Sequence, residues 1–530
     1  MHTSTSEQLV NNIVQECHAQ FDKLPKHGKP AKRSNGQAEW TILAGIVMVA
    51  PVEGTPMDLQ GACDTHTKQS SQLDAMWEVE CISLATGSKC LPQGKQSPRG
   101  DVLNDCHAEV LARRGFNRWC LEEMRKSIED PHNLRNKFKY NGDRGHDPQQ
   151  QETPLFELVS PSSQFHLYVS QAPCGDATTA SLAQVQSDES RNAFMSGQQT
   201  RSKADVQETI PDNIDLTETL STGSKRARKD LNELSNAESP SKLQKRDTTS
   251  DLNSHKTQPD SNQILGFRRG RIDYDSVGVL RTKPGRVDSE PTLSMSCSDK
   301  IARWNILGVN SAVVMPFLKK PIYLESIITR ELFDADALER ALFGRIQDCL
   351  RTEQATSGLT NSPHRISVRK SEIAFQFSKE TVSERSEQER ITSPPVASAS
   401  SLSWIASEPQ ITEVLVNGCK AGASAKKQIQ PKSRSRLCKI NMFQSSVALW
   451  KLITPNPPLV ESMASTDTNA PHEQEPATIT YCNWKKMDKE FAQSKQELFA
   501  SVFQNWIRGD STLEAFNIHG EPVASKQYQS

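Results

Sequence analysis

No stretch of this 530-residue chain approaches the roughly 18 consecutive apolar residues that a membrane-spanning helix needs, so no membrane partner is expected. The N-terminal MHTSTSEQLVNNIVQECHAQFDKLP lacks the basic start and apolar core of a secretory signal. An excess of charge of one sign is also missing. The 63 Lys and Arg against 64 Asp and Glu leave a net charge of −1, so any nucleic-acid surface has to be a local patch. Hydrophobic residues make up only 35%, below the roughly 45–50% of ordinary globular chains, so part of the length cannot bury a core. Without an export signal the 12 cysteines should stay reduced, each a free thiol or a metal ligand rather than part of a disulfide framework. An intracellular protein is expected, in the nucleus, the cytoplasm or both.

What is present reads as α/β. Residues 8–21 have amphipathic helical spacing. The β-branched apolar run 40–50 (WTILAGIVMVA) predicts a buried strand, and 77–84 (WEVECISL) a second one that ends in the turn 86–89. Residues 105–124 have helical spacing, and 165–169 (FHLYV) reads as a strand leading to Cys174. From about 187 to 262 Ser, Asp, Glu, Lys, Gln and Thr dominate without a period, the composition of a disordered insertion. Helix and strand patterns alternate again over 293–322, and the polar stretches 378–400 and 462–477 read as surface loops. The expected division is an N-terminal helical extension over 1–36 and one domain over 37–530, split by the insertion.

Three short segments hold the residues of a zinc centre: Asn104-Asp-Cys-His107-Ala-Glu109, Ala172-Pro-Cys174-Gly-Asp176 and Met295-Ser-Cys297-Ser-Asp-Lys300. A catalytic zinc takes three protein ligands and leaves the fourth position to water. His107, Cys174 and Cys297 would supply them. One imidazole and two thiolates leave the ion acidic enough to bring a water toward neutrality. Glu109, two residues beyond the histidine in the first turn of a helix, would carry protons rather than bind metal. The H-x-E plus P-C combination is the signature of hydrolytic nucleobase deamination. Taken singly, HAE is more often a helix start, PCGD a turn, and Cys297 a buried small hydrophobe. Their order, each at a strand-to-helix boundary, favours the zinc site. There is no C-x-x-C, because the second cysteine lies far beyond Cys174, and this argues against a free-nucleoside deaminase.

The blocks NDCHAEVLARRGFNRW (104–119), APCGD (172–176), GVLRTKPGR (278–286), SMSCSDKIARWNILG (294–308) and SRLCK (435–439) resemble the eukaryotic RNA adenosine deaminases, in particular their tRNA-specific branch. The resemblance implies a cytidine-deaminase-like three-layer α/β/α core with a mixed sheet, extended by additional helices and the long disordered insertion. It implies His107, Cys174 and Cys297 as zinc ligands and Glu109 as proton shuttle, in a hydrolase acting on a C–N bond. Ile42, Ser88 and Lys89 match positions that line the nucleotide pocket, with Lys89 meeting the target's phosphate. Asn104, Arg113, Arg114, Lys300, Arg303, Trp304, Lys439, Tyr481, Lys485 and Lys495 match residues that enclose inositol hexakisphosphate. Lys300, Asp105 and Lys283 match a polar chain between that polyphosphate and the zinc. Asp105 could equally be a plain helix cap. Physical chemistry points the same way. Arg113 and Arg114 lie one turn beyond Glu109, and Lys300 and Arg303 one turn beyond Cys297; four cations cannot be buried there without anions. The alternative is an exposed RNA-binding face.

The pattern starts about 37 residues in, which leaves no room ahead of it for a double-stranded-RNA-binding domain. The expected partner is therefore tRNA, and the resemblance implies the adenosine immediately 3′ of the anticodon in alanine tRNA. An exposed loop purine costs little to flip. The rivals are an enzyme acting on messenger or double-stranded RNA, and a non-catalytic zinc protein that binds tRNA. A monomer without an obligate protein partner is expected. The basic clusters KRARK (225–229) and KLQKR (242–246) read as a two-part nuclear signal, as extra phosphate contacts, or as solvated linker charge.

Overall fold

The computed structural model describes residues 3–51, 77–142, 155–185, 265–270, 273–283, 290, 292–353, 363–423, 429–454 and 479–523. The insertion at 187–262 with its two basic clusters, and the polar stretch 462–477, lie outside the described residues.

The chain opens with helix α1 (Thr3–Lys23). Its Val10, Ile13, Val14, Cys17 and Phe21 recur at three- and four-residue intervals and are buried, the stripe that lets a helix lie on a sheet. That sheet has eight strands: β1 (Leu43–Pro51), β2 (Trp77–Thr86), β3 (Gln164–Gln171), β4 (Ser326–Glu331), β5 (Ser367–Lys370), β6 (Ser401–Ile405), β7 (Thr412–Val416) and β8 (Cys419–Lys420). Their order is β5-β4-β3-β1-β2-β6-β7-β8. The β3–β4 and β4–β5 pairs are parallel and the rest antiparallel, so the sheet is mixed.

Strand alternation sorts β1 between two cores. Leu43, Val47 and Val49 face α1, together with Cys81, Leu84 and Tyr168. Ala44, Ile46 and Met48 face the opposite layer. A side chain at Gly45 would put a carbon 2.6 Å from the Cys17 sulfur, so glycine is what lets α1 settle on the strand. The opposite layer is built on helix α2 (Ala108–Glu129), whose Leu111, Ala112, Phe116 and Trp119 are fully buried. Further along the chain come helices α3 (Asp176–Val185), α4 (Cys297–Leu307), α5 (Lys379–Gln388), α6 (Lys439–Ile453), α7 (Tyr481–Trp484) and α8 (Lys489–Ala500). The result is the expected cytidine-deaminase-like α/β/α arrangement with a mixed sheet and additional helices.

Three local expectations change. The apolar run 40–50 is interrupted: Glu39–Trp40 pairs with Val396–Ala397, and β1 begins only at Leu43. Helical spacing over 105–124 misplaces the start of α2. Asp105–His107 is a short strand paired with Ser88–Cys90, a tertiary pairing that overrides the local period. The stretch 378–400 is not a plain loop. The Ser378 hydroxyl accepts from the Thr381 amide and caps α5, which buries Val382 and Ser386.

The register brings one end of the sheet to a point. Ala44 pairs with Val169 and Leu43 with Thr86, so Ile42, Gly87 and the loop after β3 share an edge. That edge lies beyond the carboxyl end of β3, where α/β sheets present their ligand sites.

Candidate metal centre and active site

Each metal-ligand candidate sits where a strand or loop turns into a helix. His107 ends the Asp105–His107 strand and precedes α2, Cys174 lies in the loop between β3 and α3, and Cys297 is the first residue of α4. The fold closes the sequence gaps: Nδ1 of His107 is 3.8 Å from Cys174 Sγ and 3.7 Å from Cys297 Sγ. All three ligand atoms lie within 4.8 Å of one another. Backbone contacts lock the two cysteine segments together, because the Ser298 amide donates to the Cys174 carbonyl at 3.0 Å and the Cys297 amide points at Cys174 Sγ at 3.4 Å. Gly175 turns the chain at φ +109°, where a side-chain carbon would lie 2.2 Å from the Ser296 hydroxyl, so only glycine fits there. One imidazole and two thiols at this spacing fit zinc.

Charge around the cluster is balanced by a fully buried lysine. Lys283 Nζ donates to Cys297 Sγ at 2.8 Å, lies 3.8 Å from Cys174 Sγ, and pairs with Asp105 at 3.4 Å. Burial alone would neutralise this ammonium, but Asp105 and the two sulfurs hold its pKa well above the ordinary lysine value. The hydrogen bond from Cys297 holds the Cys174 thiol well below its usual value against the effect of burial, and burial pushes Cys297 up. Burial would also raise Asp105. Lys283 and Lys300 outweigh it and keep that carboxyl well below the usual carboxylate range. Lys300 closes the chain through an ion pair with Asp105. Asp105 Oδ1 also accepts from the His107 amide at 3.0 Å; because His107 itself is the N-cap of α2, Asp105 is not the helix cap. Glu109 is 1% exposed, and its Oε2 has no hydrogen-bond partner among the described residues. Burial pushes its pKa up, opposed by His107 and Lys283.

A second basic group lies behind Lys300. Arg113 donates to the Val309 and Asn310 carbonyls at 2.7 Å each and stacks 5.1 Å from the Trp304 ring. Arg114 donates to the Leu437 carbonyl at 2.6 Å, and Arg303 stands 5.0 Å over Trp506. Lys439 and Lys485 both pair with Glu514, and Lys485 stands 5.3 Å over Tyr481. Tyr481 in turn stacks on Phe516 with ring centres 5.0 Å apart. Like charges at short range show in the proton affinities. Burial, with Lys485 and Arg303 beside it, pulls Lys495 down to about 7, and burial pulls Arg303 down to about 10. Burial, then Arg303 and Arg114, holds Arg113 well below the ordinary arginine value. Lys439, Lys485 and Lys495 thus gather around Glu514, with Arg114 beside Lys439 and Arg113 and Arg303 beside Lys495, and the buried Trp304 Nε1 has no partner among the described residues. These cations are half-buried rather than spread over an exposed face, and unpaired desolvated charge is costly.

A family model described as the adenosine-deaminase (editase) domain matches residues 83–510. The chain belongs to that family. Over 96% of its length it is 29% identical to tRNA-specific adenosine deaminase 1 of Mus musculus, covering 99% of that protein. It is 28% identical to the Schizosaccharomyces pombe protein of the same name, over 95% of both chains. Double-stranded RNA-specific adenosine deaminase of Rattus norvegicus is 28% identical too, but over 50% of this chain and 17% of that one.

In this deaminase the pocket-lining candidates fall on the convergent edge. Ile42 is 8% exposed, and its carbonyl accepts from the Gly87 amide; the Gly87 carbonyl accepts in turn from Ala108 at the start of α2. Ser88 pairs directly with His107, and Lys89, one step further, is exposed. The Asn104 carbonyl accepts from the Leu91 amide at 2.8 Å. Sequence reasoning missed Glu514 and the carboxylates Asp176 and Asp299, each two residues beyond a cysteine. The aspartates carried a signal, since both open a helix next to a candidate ligand. Glu514 carried none. Among the described residues no helix is long and apolar enough to cross a membrane.

Proposed function

We propose that this deaminase converts adenosine to inosine in tRNA by zinc-dependent hydrolysis, at the adenosine immediately 3′ of the anticodon in alanine tRNA. The observation that carries the chemistry is the buried, unpartnered Glu109 oxygen beside the His107, Cys174 and Cys297 cluster. The end-to-end match to relatives named tRNA-specific supports the substrate, against coverage of 17% of the double-stranded RNA-specific one.

His107, Cys174 and Cys297 would hold zinc, which would supply the Lewis acidity that makes a water nucleophilic at neutral pH. Glu109 takes a proton from the attacking water, gives it to the purine ring nitrogen, and passes a proton to the departing amino group, so that water and adenosine become inosine and ammonia. A carboxyl with raised proton affinity and a free oxygen suits both halves of that transfer. Lys283 keeps the thiolates from being a bare buried charge. Ile42 and Ser88 border the pocket, and exposed Lys89 meets a backbone phosphate of the flipped nucleotide. In the same reading the basic cradle encloses inositol hexakisphosphate, linked to the metal centre through Lys300, Asp105 and Lys283.

The test is inosine formation by metal-replete protein on unmodified alanine tRNA transcript, beside an anticodon-loop mutant and a long RNA duplex. Inosine beside the anticodon of the tRNA alone is expected. Conversion of the duplex alone would replace the tRNA substrate, and no conversion of either by folded, zinc-loaded protein would remove the catalytic reading.

A further inference from the structure

Behind the two cysteines a helical turn breaks its period. Between the helical segments Ala335–Glu339 and Arg345–Glu353 the backbone is π-helical over Arg340–Gly344, and the Arg345 amide donates to the Arg340 carbonyl. In an α-helix residues five apart diverge by about 140° around the axis. The wider i→i+5 turn closes that angle, and such turns cluster at functional sites. Here it sets two arginines toward two buried aspartates. Arg340 Nε donates to Asp176 Oδ2 and its Nη2 to the Asp176 carbonyl, each at 3.2 Å. Arg345 Nη2 donates to Asp299 Oδ1 at 2.6 Å. Both aspartate side chains are fully buried, and each follows a cysteine ligand by two residues.

The remaining oxygens of the same aspartates hold a third segment. Asp176 Oδ1 accepts from the Gly278 amide at 2.6 Å, and Asp299 Oδ2 from the Arg281 amide at 2.9 Å and the Ser296 hydroxyl at 2.7 Å. Arg345 Nη1 adds a bond to the Val279 carbonyl at 2.7 Å, and its Nε bonds back to Ala341 inside the π turn. The segment held this way runs directly into Lys283, the lysine on the sulfurs. Asn305 of α4 also donates to the Leu342 carbonyl at 2.9 Å.

We infer that Arg340 and Arg345 are positioning residues for the metal centre: the π turn aims them so that, through Asp176 and Asp299, they fix the spacing of Cys174, Cys297 and Lys283. The inference rests on the reading of His107, Cys174 and Cys297 as the zinc site. None of these four groups touches the ligand atoms, so their effect reaches the metal only through backbone geometry.

The experiment measures zinc affinity by chelator competition, and the thiolate-to-cobalt absorption of the cobalt-substituted protein, without RNA. The full chain is compared with Arg340→Ala, Arg340→Lys and Arg345→Lys. Arg340 is partly exposed, and urea unfolding of the metal-free proteins reports separately what its variants do to stability. Arg340→Ala is expected to weaken zinc binding by up to about 10-fold, the low end of what losing a direct partner of a metal ligand costs, and to shift the cobalt bands. Arg340→Lys should recover part of both, and Arg345→Lys should shift the bands even where zinc content is retained. Wild-type affinity and unchanged bands in Arg340→Ala and Arg345→Lys would overturn the inference, whatever happens to stability. Wild-type protein that binds neither metal would remove the zinc reading and this inference with it.

Discussion

Replacing Glu109 with glutamine is the sharpest perturbation the site allows. The side chain keeps its shape and burial but can no longer take up and release a proton. Its Oε2 makes no hydrogen bond among the described residues, so the exchange breaks none there, and it removes a negative charge from a site where burial disfavours one. Stability should therefore stay within about 1 kcal/mol of wild type. Zinc content should not change, because Glu109 lies outside the three-ligand cluster. The chemical step should fall by about 10³-fold, in the middle of the range for a lost general acid–base, or about 4 kcal/mol of barrier. Single-turnover inosine formation on alanine tRNA at saturating enzyme isolates that step from binding, with metal analysis and urea unfolding on the same samples. A variant that deaminates within tenfold of wild type would refute the shuttle role. One that loses zinc would show that Glu109 serves the metal instead.

Two further outcomes follow from the charges. His166 is buried, its Nδ1 is 2.8 Å from the Ser326 hydroxyl, and burial pulls its pKa down to about 4 from 6.5. Between those values the unfolded chain takes up a proton that the folded one refuses, so stability should fall by up to about 3 kcal/mol as pH drops through that window. Urea unfolding from about pH 7 to about pH 4.5 should be flatter by that amount in His166→Asn, and equal slopes would sink the assignment. The basic cradle predicts that added inositol hexakisphosphate raises the melting temperature of protein stripped of bound polyanion. Lys495→Met should weaken that binding at least about tenfold, since a charge-assisted contact contributes about 1.5–3 kcal/mol. Absence of any thermal shift in stripped, folded protein would argue that the cations are satisfied another way.

The parts of this deaminase legible in its sequence are those set by neighbours along the chain. The apolar run before Pro51 gave β1, and its alternation between two cores is the ordinary consequence of a strand buried on both faces. The stripe of Val10, Ile13, Val14, Cys17 and Phe21 gave α1. Where partners are remote, local pattern misled. Asp105–His107 has helical spacing but is a strand because Ser88–Cys90 lies beside it, and that pairing is what turns His107 toward the cysteines. The stretch 378–400 has too few apolar residues to announce a helix, yet Ser378 caps one that needs only Val382 and Ser386 to seat it. Its signal was the cap, not the period.

Sequence alone determined the chemistry on offer: an imidazole, two thiols and a carboxylate two residues from the imidazole, with arginines one helical turn behind them. It did so because ligand preference and turn-length spacing are properties of residue type and short chain geometry. Tertiary structure decided everything that depends on burial and on which remote groups meet. His107 is 67 residues from Cys174, and Cys174 is 123 from Cys297, yet their ligand atoms lie within 4.8 Å. Only that closure puts Lys283 on the sulfurs, Glu514 among the lysines, and Arg340 and Arg345 on the aspartates behind the cysteines. Proton affinities followed from the same closure. A charge's free energy is set by its solvent and its nearest counter-charge, and in a folded chain neither is a neighbour in sequence.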